Sequence, residues 1–401
     1  MILIYYIEIN YELSKLKKGS NMLKVIKVRL YPNNAQMQLL SQHFGSARFV
    51  YNLMLHKSIN AYEAGEKFNV YELKKLLTIM KQTDEFGWMK EIDSTALQYA
   101  VLNLGTAYKH FFRRVKKGKK AGFPRFKSKN FSRQSYQSSG AKIKDGKLYL
   151  PKIGLVKAVF HREISGTVKT VTVSSEAGYY FASINYEDGI DQNIGTNNGK
   201  SIGIDVGVKI FAYLSNGEAI KPIDLKKEIA EVIKAQKVLS RRKKGGENRK
   251  KAKVKLGKKH LKLRNKRNDF LHKVTKRLSE NQTIAVEDLK IKYMSKSAKG
   301  SIDNPNMRSS AKRGLNRSIL AQSWGKFFEL LEYKLERNGG KLVRVDPKYT
   351  SQTCSCCGHV SKENRLTQSE FVCKACHSKF HADYNASVNI LNAAGTVVKA
   401  S

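Results

Sequence analysis

Acidic residues are scarce in this sequence. Its 401 residues include 33 Asp and Glu against 75 Lys and Arg, which gives a formal net charge of +42. A soluble protein with this excess repels itself unless a polyanion compensates, and nucleic acid is the usual polyanion. A cationic surface that serves only solubility rarely needs so large an excess. The charge balance therefore favours a nucleic-acid partner.

Long apolar stretches are also missing. No stretch approaches the roughly 18 apolar residues of a membrane-spanning helix, so we expect no membrane partner. The first ten residues are apolar, but they include Glu8 and lack both a cationic start and a small-residue cleavage site, so a signal peptide is not expected. We interpret residues 1–21 as an N-terminal extension or a misplaced start before Met22.

Cysteine is scarce as well, and four of the five cysteines form two Cys-x-x-Cys pairs. This usage suits a reducing compartment, so we expect a cytoplasmic, nucleoid-associated protein. The separation of Cys354 and Cys357 from Cys373 and Cys376 is that of a four-cysteine zinc ribbon. A thioredoxin-like redox pair fits poorly because there are two pairs. The spare thiol and three imidazoles that could replace a ligand are Cys356, His359, His377 and His381.

The length allows two or three domains, and the residue composition and hydrophobic periodicity change along the chain. Short strands in residues 22–32 and 120–186, broken by Gly, Ser and Asp, are typical of a small antiparallel barrel. Residues 33–119 have helical periodicity and are interpreted as an insertion into that barrel. The Gly- and Asn-rich residues 187–200 are a predicted linker.

The remaining sequence alternates strands and helices. Residues 201–350 and 381–401 predict an α/β domain with a mixed sheet and an early hairpin, and residues 351–380 are the inserted ribbon. Residues 234–277 contain 20 Lys and Arg against 2 acidic residues, too lopsided for a helix with paired surface charges, so a phosphate-facing surface is favoured.

Three carboxylates stand out by their context. Asp205 lies in the apolar strand IGIDVG, Glu287 ends the strand TIAVE, and Asp383 begins the last helix. Three buried carboxylates on adjacent elements would repel one another unless a hard divalent cation, Mg²⁺ or Mn²⁺, lay between them. Taken singly, Asp383 could be a helix cap, Asp205 a turn residue and Glu287 a solvated side chain with Asp288 as its competitor.

Together, the stretches SIGIDVGVK, IAVEDLK and HADYNASVNI resemble the three motifs of a split RuvC nuclease, which has an RNase H-like fold. The cysteine pairs precede the third motif, and a Lys/Arg-rich helical region separates the first two. This order resembles the TnpB family of transposon-encoded RNA-guided DNA nucleases, also called OrfB-type transposases and related to compact type V CRISPR effectors. The resemblance extends from about Leu23 to Asn392.

The resemblance implies a multidomain α+β fold. A wedge-like N-terminal β-barrel with a helical insertion would precede a RuvC-like α/β nuclease domain that carries the zinc ribbon. Asp205, Glu287 and Asp383 would bind catalytic Mg²⁺ or Mn²⁺, and the four cysteines would hold structural Zn²⁺. The implied partners are a transposon-derived guide RNA, held by the barrel and the insertion, and a double-stranded target DNA. A monomer is favoured.

Two positions depart from the family pattern. Ala382 stands where the family commonly has Arg, which could cost a phosphate contact, and His377 stands where it commonly has Gly. Rings interleaved with cations in AYKHFFRRVKKGKK and GFPRFK are expected to be mostly core, with a minority stacking on RNA bases. Nucleic-acid contacts are expected from two polar side chains of the insertion and seven cations of the basic stretch: Tyr71, Gln98, Arg241, Arg242, Lys243, Lys244, Arg264, Lys266 and Arg267.

The expected function is RNA-guided cleavage of DNA phosphodiesters by two-metal-ion hydrolysis at an Asp-Glu-Asp site. One alternative is a guide-directed DNA-binding regulator that has lost cleavage. Another is a guide-independent, structure-selective nuclease, although it would not need the insertion and the barrel. A recombinase is disfavoured because no tyrosine or serine recombinase constellation is evident.

Overall fold

The structure is a computed structural model of the chain. It describes residues 23–66, 69–129, 133–187, 197–296, 309–365 and 367–399. The predicted extension 1–21 and most of the predicted linker lie outside these residues. The described residues form two compact units, one containing the chain up to residue 187 with Lys234–Leu261, the other containing residues 197–233 and those from Lys262 onward.

Three α-helices follow the first strand of the first unit. Their bounds are α1 (Asn34–Glu63), α2 (Val70–Met80) and α3 (Ser94–Lys116), with a 3-10 helix at Asp84–Glu91 between the last two. Each begins where a side chain satisfies free backbone N–H groups. Asn33 and Asn69 form capping boxes with Gln36 and Glu72, and Asp93 accepts a hydrogen bond from the Thr95 amide.

A seven-stranded antiparallel sheet completes this unit. Its strands are β1 (Leu23–Tyr31), β2 (Arg133–Ser138), β3 (Lys142–Lys144), β4 (Lys147–Leu150), β5 (Gly154–Val159), β6 (Thr167–Glu176) and β7 (Tyr179–Glu187). The order is β2-β6-β7-β1-β5-β4-β3, so β2 and β3 lie at opposite edges. The sheet is open within the described residues, and the predicted barrel is corrected accordingly.

The helices explain why the sheet need not close on itself. Alternation along β1 buries Ile26 and Val28 on one face of the sheet. These side chains share one hydrophobic core with Leu40 and Val50 of α1 and Leu97 of α3. The helical layer therefore covers the apolar face that a closed barrel would otherwise bury against itself.

The second unit contains a five-stranded mixed sheet of order β10-β9-β8-β11-β12. Its strands are β8 (Ser201–Val206), β9 (Ala212–Leu214), β10 (Ala219–Ile220), β11 (Thr283–Glu287) and β12 (Lys341–Val345). Strand β11 runs parallel to both β8 and β12, whereas β8, β9 and β10 are antiparallel. This is the mixed sheet with an early hairpin that the sequence predicts.

Among the described residues, six helices lie in the part of the chain that contains this sheet. They are α4 (Lys226–Ser240), α5 (Glu247–Leu278), α6 (Ile291–Met294), α7 (Ser309–Gln322), α8 (Trp324–Arg337) and α9 (Ala382–Lys399); α4 and α5 contribute residues to both units. Helix α8 buries Phe327, Leu331 and Leu335 in the core of the second unit. None of the helices in the described ranges is long and apolar enough to cross a bilayer.

Helix α9 approaches strand β8 unusually closely. A Cβ atom at Gly203 would lie 2.1 Å from the carbonyl oxygen of Ser387 and 2.8 Å from the amide nitrogen of Leu391. Only glycine permits this approach. The contact sets the distance between β8, which carries Asp205, and the helix that carries Asp383. Between β12 and α9 lies a small module with the hairpin β13 (Glu370–Val372) and β14 (Lys379–His381).

Candidate active site and metal centre

Asp205 and Glu287 lie at the same end of neighbouring strands. The parallel pairing of β8 and β11 puts Ile204 opposite Val286, so the next residue of each strand is one of the two carboxylates. Thr350 fixes Glu287, because its hydroxyl donates a 2.6 Å hydrogen bond to Glu287 Oε1. The two carboxylates reach one edge of the sheet because parallel strands end together there.

Asp383 comes to this edge from the first turn of α9. Its carboxylate Oδ1 is 3.5 Å from Arg365 Nη2, and the two side chains are 22% and 31% exposed. The pKa of Asp205 is raised to about 8: burial is the largest cause, the charges of Glu287 and Asp383 add to it, and the Arg365 guanidinium and the Val206 amide oppose the shift. The three carboxylates are thus electrostatically coupled, with Arg365 as the nearby cation.

Glu287 is perturbed in the same direction. Burial raises its pKa, and the hydrogen bond from Thr350 offsets part of that rise. Because burial and mutual repulsion disfavour the ionised form of neighbouring carboxylates, a cation is needed to keep all of them ionised. Oxygen ligands of this kind suit hard divalent ions, so the donor set fits Mg²⁺ or Mn²⁺.

The four predicted cysteines form a compact cluster. Within the residues that the structure describes, they are the one group of three or more potential ligands whose atoms all lie within 4.8 Å of one another. The three carboxylates are more loosely spaced, which a two-ion site permits because two ions about 4 Å apart share the ligands. The Sγ–Sγ distances are 3.7 Å from Cys354 to Cys376 and 3.6 Å from Cys357 to Cys373.

Those distances match a tetrahedral zinc site. Four sulfur atoms, each about 2.3 Å from one Zn²⁺ ion, would be about 3.8 Å apart. Hydrogen bonding with the Ser378 side chain, 3.2 Å away, lowers the pKa of Cys376, whereas burial raises the pKa of Cys354, so the clustered thiols do not all ionise together unless a cation neutralises them. Cys356 is exposed and outside the cluster.

Comparisons with known proteins show which family a chain with these two sites belongs to. Residues 183–298 match the family model OrfB_IS605, described as "Probable transposase", and residues 324–390 match "Cas12f1-like, TNB domain". The chain is 38% identical over 381 residues to "Putative RNA-guided DNA endonuclease InsQ" of Escherichia coli K12, covering 94% of this chain and 93% of that protein. The chain belongs to the TnpB family.

The TnpB-family chain also resembles a second curated relative in sequence and a solved structure in fold. A "Putative RNA-guided DNA endonuclease" of Streptomyces pristinaespiralis is 34% identical over 387 residues, covering 94% of this chain and 90% of that protein. A cryo-EM structure of a Cas12f1–sgRNA–target DNA complex has a similar fold, with a TM-score of 0.51 at 15% identity, covering 93% of this chain and 99% of that one. The family model named "Helix-turn-helix domain" matches residues 22–67, where the described residues form β1 and one continuous helix, α1.

The two departures from the TnpB-family pattern have structural counterparts. His377 has a φ of 58°, in the left-handed region that favours glycine, which explains why Gly is the common residue there. Ala382 is 1% exposed and packs with Cys354, Phe371 and Cys373 in the core of the ribbon. The cation beside Asp383 comes instead from Arg365, on the other side of the ribbon hairpin in sequence.

Asparagines of α9 join this helix to the ribbon of the TnpB-family chain. Asn385 Nδ2 donates to the carbonyl of Thr353 over 2.8 Å, and its Oδ1 accepts from the Ser355 amide over 2.9 Å. Asn389 Nδ2 donates to the carbonyls of Thr350 and Thr353 over 2.9 and 2.7 Å. The start of α9, and therefore Asp383, is held by the loop that leads into the first cysteine pair.

Three residues near the carboxylates make contacts that the sequence does not predict. Arg365 is one of 75 cations, and Thr350 lies in a loop with no catalytic pattern. His381 Nδ1 accepts a 3.3 Å hydrogen bond from the Asp383 amide, and its ring stacks on Tyr213 at 4.9 Å. Tyr213 is the strand partner of Asp205. The contacts of Arg365, Thr350 and the His381 ring join elements far apart in sequence, so no local pattern could have found them.

The predicted nucleic-acid contacts have different surroundings. Tyr71 is 76% exposed and Gln98 is half-buried, both on helices of the first unit. Lys266 is ion-paired with the buried Glu228. Arg267 is half-buried, its Nε has no hydrogen-bond partner, and burial lowers its pKa. Five other predicted contacts are exposed: Arg241, Arg242, Lys243, Lys244 and Arg264.

Proposed function

We propose that this chain is an RNA-guided DNA endonuclease that hydrolyses phosphodiester bonds at Asp205, Glu287 and Asp383. The observation that carries the proposal is the convergence of these carboxylates: the parallel strands β8 and β11 end together at Asp205 and Glu287, and Asp383 lies in the first turn of α9, which packs on β8. Two relatives that match nearly the whole chain are named RNA-guided DNA endonucleases, which supports the guided reaction. The reaction class is metal-dependent hydrolysis, with Mg²⁺ or Mn²⁺ as the cofactor.

The carboxylates would hold a pair of divalent ions. When bound, such ions supply an activated water and stabilise the leaving oxygen of the phosphodiester. The chain's own residues position the ligands: Thr350 orients Glu287 through its hydroxyl, and the close contact at Gly203 brings Asp383 towards β8. Arg365 would offer a guanidinium to a phosphate oxygen beside Asp383. It would thereby supply the phosphate contact that Ala382 cannot make.

The cysteine cluster would hold a structural Zn²⁺. Four thiolates form a closed set with no open position for substrate, so the ion has no direct part in hydrolysis. Its role follows from the asparagine contacts of α9. The four cysteines would hold the ion, which when bound would order the surrounding loops, and those loops contact Asn385 and Asn389. The ribbon thereby positions Asp383.

Nucleic acid is the proposed partner of the cationic surfaces. The guide RNA would be transposon-derived and would pair with one strand of a double-stranded target, while protein reads a short flanking sequence. The sheet and helices of the first unit would hold the RNA scaffold and the flanking duplex, with Tyr71 and Gln98 as candidate readers. The exposed cations of residues 241–244 and 264 would contact phosphates. We propose a monomer located with the nucleoid in the cytoplasm.

Purification from the native locus tests the proposal. We expect a discrete co-purifying RNA and, once its guide is reprogrammed, plasmid cleavage that requires Mg²⁺ and is lost in Asp205→Ala.

A matched pair of substitutions tests which carboxylate at the end of β11 belongs to the site. Glu287→Gln should abolish cleavage, whereas Asp288→Asn should not, because Asp288 is ion-paired with Lys290. Absence of a discrete RNA would refute the guided reaction. Cleavage by Asp205→Ala would refute the assignment of the catalytic site.

A cleavage-deficient, RNA-guided DNA-binding regulator is a second candidate. Ala382 favours it, because the common family Arg is missing there. The two candidates differ in one measurement. A regulator would bind the programmed target with the same affinity in Mg²⁺ and in its absence and leave the plasmid intact.

A further inference from the structure

An apolar groove lies on the helical layer of the first unit. Its volume is about 760 Å³, and it lies between α1, α2 and α3 and the loop after α3. Five aromatic residues contribute to its lining: Tyr62, Tyr108, Phe111, Phe112 and Phe123. The groove lies within one compact unit and far along the chain from the carboxylates, so the proposed reaction does not account for it.

The rings form a connected group that is left open to solvent. Phe112 is stacked against Tyr108 with centroids 6.2 Å apart, and Phe123 meets Tyr108 and Phe111 edge-on at 5.6 and 5.4 Å. Exposure nevertheless reaches 79% for Tyr62, 62% for Phe112 and 47% for Phe123. Large rings with this exposure, gathered around one groove, mark a binding surface.

The helices are closely packed at the floor of the groove. A Cβ atom at Gly105 would lie 2.3 Å from Val70 Cγ2, so the backbone of α3 lies directly against the Val70 side chain of α2. Ser58 Oγ and the Tyr108 hydroxyl are hydrogen-bonded over 2.9 Å, which ties α1 to α3. These contacts join the three helices below the rings and leave the rings exposed.

Charge indicates what occupies the groove. The segment from Lys109 to Lys129, which carries Phe111, Phe112 and Phe123, contains ten Lys and Arg and no Asp or Glu. Glu66 is the acidic residue on the lining. An apolar protein surface would complement the rings but not this density of positive charge. Single-stranded nucleic acid complements both, since its bases stack on rings and its phosphates pair with cations.

We infer that this groove binds an unpaired stretch of nucleic acid, with bases against Phe112, Phe123 and Tyr62 and phosphates along residues 109–129. The inference rests on the proposed function only in that the chain works on nucleic acid. Every base has a π-face, so the groove should bind with little sequence preference. Unpaired guide RNA and displaced target DNA share this chemistry, and the arms of the test distinguish them.

Fluorescence anisotropy with the purified full-length protein tests the inference. The probes are labelled oligouridylate, oligodeoxythymidylate and an abasic oligonucleotide, each about 12 nucleotides long, a length within the usual site sizes. Phe112→Ala and Phe123→Ala should each weaken the two base-containing probes about 5- to 150-fold. Binding of the abasic probe should not change, and Phe112→Trp should restore affinity. Tighter binding of oligouridylate would identify RNA as the ligand, and tighter binding of oligodeoxythymidylate would identify displaced DNA.

The matched control is Tyr293→Ala, which removes a ring of equal exposure, 62%, outside the groove. It should leave all three affinities unchanged. Unchanged affinity in both groove variants, or an equal loss with the abasic probe, would overturn the inference. A change in mass by light scattering without a change in oligonucleotide affinity would also overturn it and assign the groove to a second copy of the chain.

The result is separable from that for the proposed function. If the groove variants bind normally while Asp205→Ala abolishes programmed cleavage, the groove inference fails and the nuclease proposal stands. If the wild type does not cleave while the groove variants lose affinity for base-containing probes, the nuclease proposal fails and the groove inference stands.

Discussion

Removing the charge of Asp205 should change how stability depends on pH. The carboxyl pKa is 3.8 in the unfolded chain and about 8 in the folded one, so folding disfavours the ionised form. Between pH 5 and pH 7 the unfolded state has lost this proton and the folded state has kept it. Stability then falls by about 1.36 kcal/mol per pH unit, or at most about 2.7 kcal/mol across this interval. Because the side chain is only half-buried, we expect about 2 kcal/mol.

Scanning calorimetry without added Mg²⁺ or Mn²⁺ measures this effect as the difference between wild type and Asp205→Asn. About 2 kcal/mol corresponds to a melting temperature shift of about 4–8 °C for a unit of this size. The variant should gain this advantage over wild type as pH rises from 5 to 7, and Mg²⁺ should restore the wild type. Asp269→Asn, at an exposed carboxylate paired with Lys273, serves as the control. A difference between wild type and Asp205→Asn that is constant with pH would refute the coupling of the three carboxylates.

Three further substitutions test the supports of the two sites. Gly203→Ala should destabilise the protein by at least about 2 kcal/mol in calorimetry and stop cleavage, because its Cβ would meet the backbone of α9; a normal melting temperature would contradict this. Thr350→Val should slow single-turnover cleavage about tenfold or more, since Glu287 loses its hydrogen bond, while Thr350→Ser should retain the rate; equal rates would contradict this. Cys373→Ser should lose the zinc that elemental analysis detects, whereas Cys356→Ser should keep it; zinc retained by the first variant would contradict the assignment.

The second unit could be predicted largely from local sequence patterns. The apolar runs that end at Asp205 and Glu287 are short and sharply bounded, so they indicate buried strands directly. The spacing of the two cysteine pairs likewise predicts their cluster, because each Cys-x-x-Cys turn supplies two thiolates. In such stretches the chemistry and the geometry are encoded by neighbouring residues.

The open sheet of the first unit could not be predicted in the same way. Alternation along β1 shows that Ile26 and Val28 share one buried face, but it does not show what covers that face. Closure into a barrel and a helical layer satisfy the same pattern. The choice depends on α1 and α3, whose core residues come from other parts of the chain.

The roles and partners of individual Lys and Arg residues are the hardest features to predict from the sequence. The count of 20 basic against 2 acidic residues begins at Lys234 and so leaves out Glu228, which lies just before it and pairs with Lys266. Arg365 shows the opposite case, a cation with no distinguishing neighbour that lies beside Asp383. Both partnerships join different elements, and spacing within one element cannot reveal them.

The amides of Asn385 and Asn389 have a consequence for how helix α9 can vary. Apolar contacts tolerate a gradual slide, but these buried amides meet fixed carbonyls, and each unmatched partner would cost about 1–3 kcal/mol. The helix therefore has one register rather than a range of them. A single residue inserted between Asp383 and Asn385 would rotate the carboxylate by about 100° while the amides kept their carbonyls, so the spacing of these two residues is constrained as strictly as the identity of the carboxylate itself.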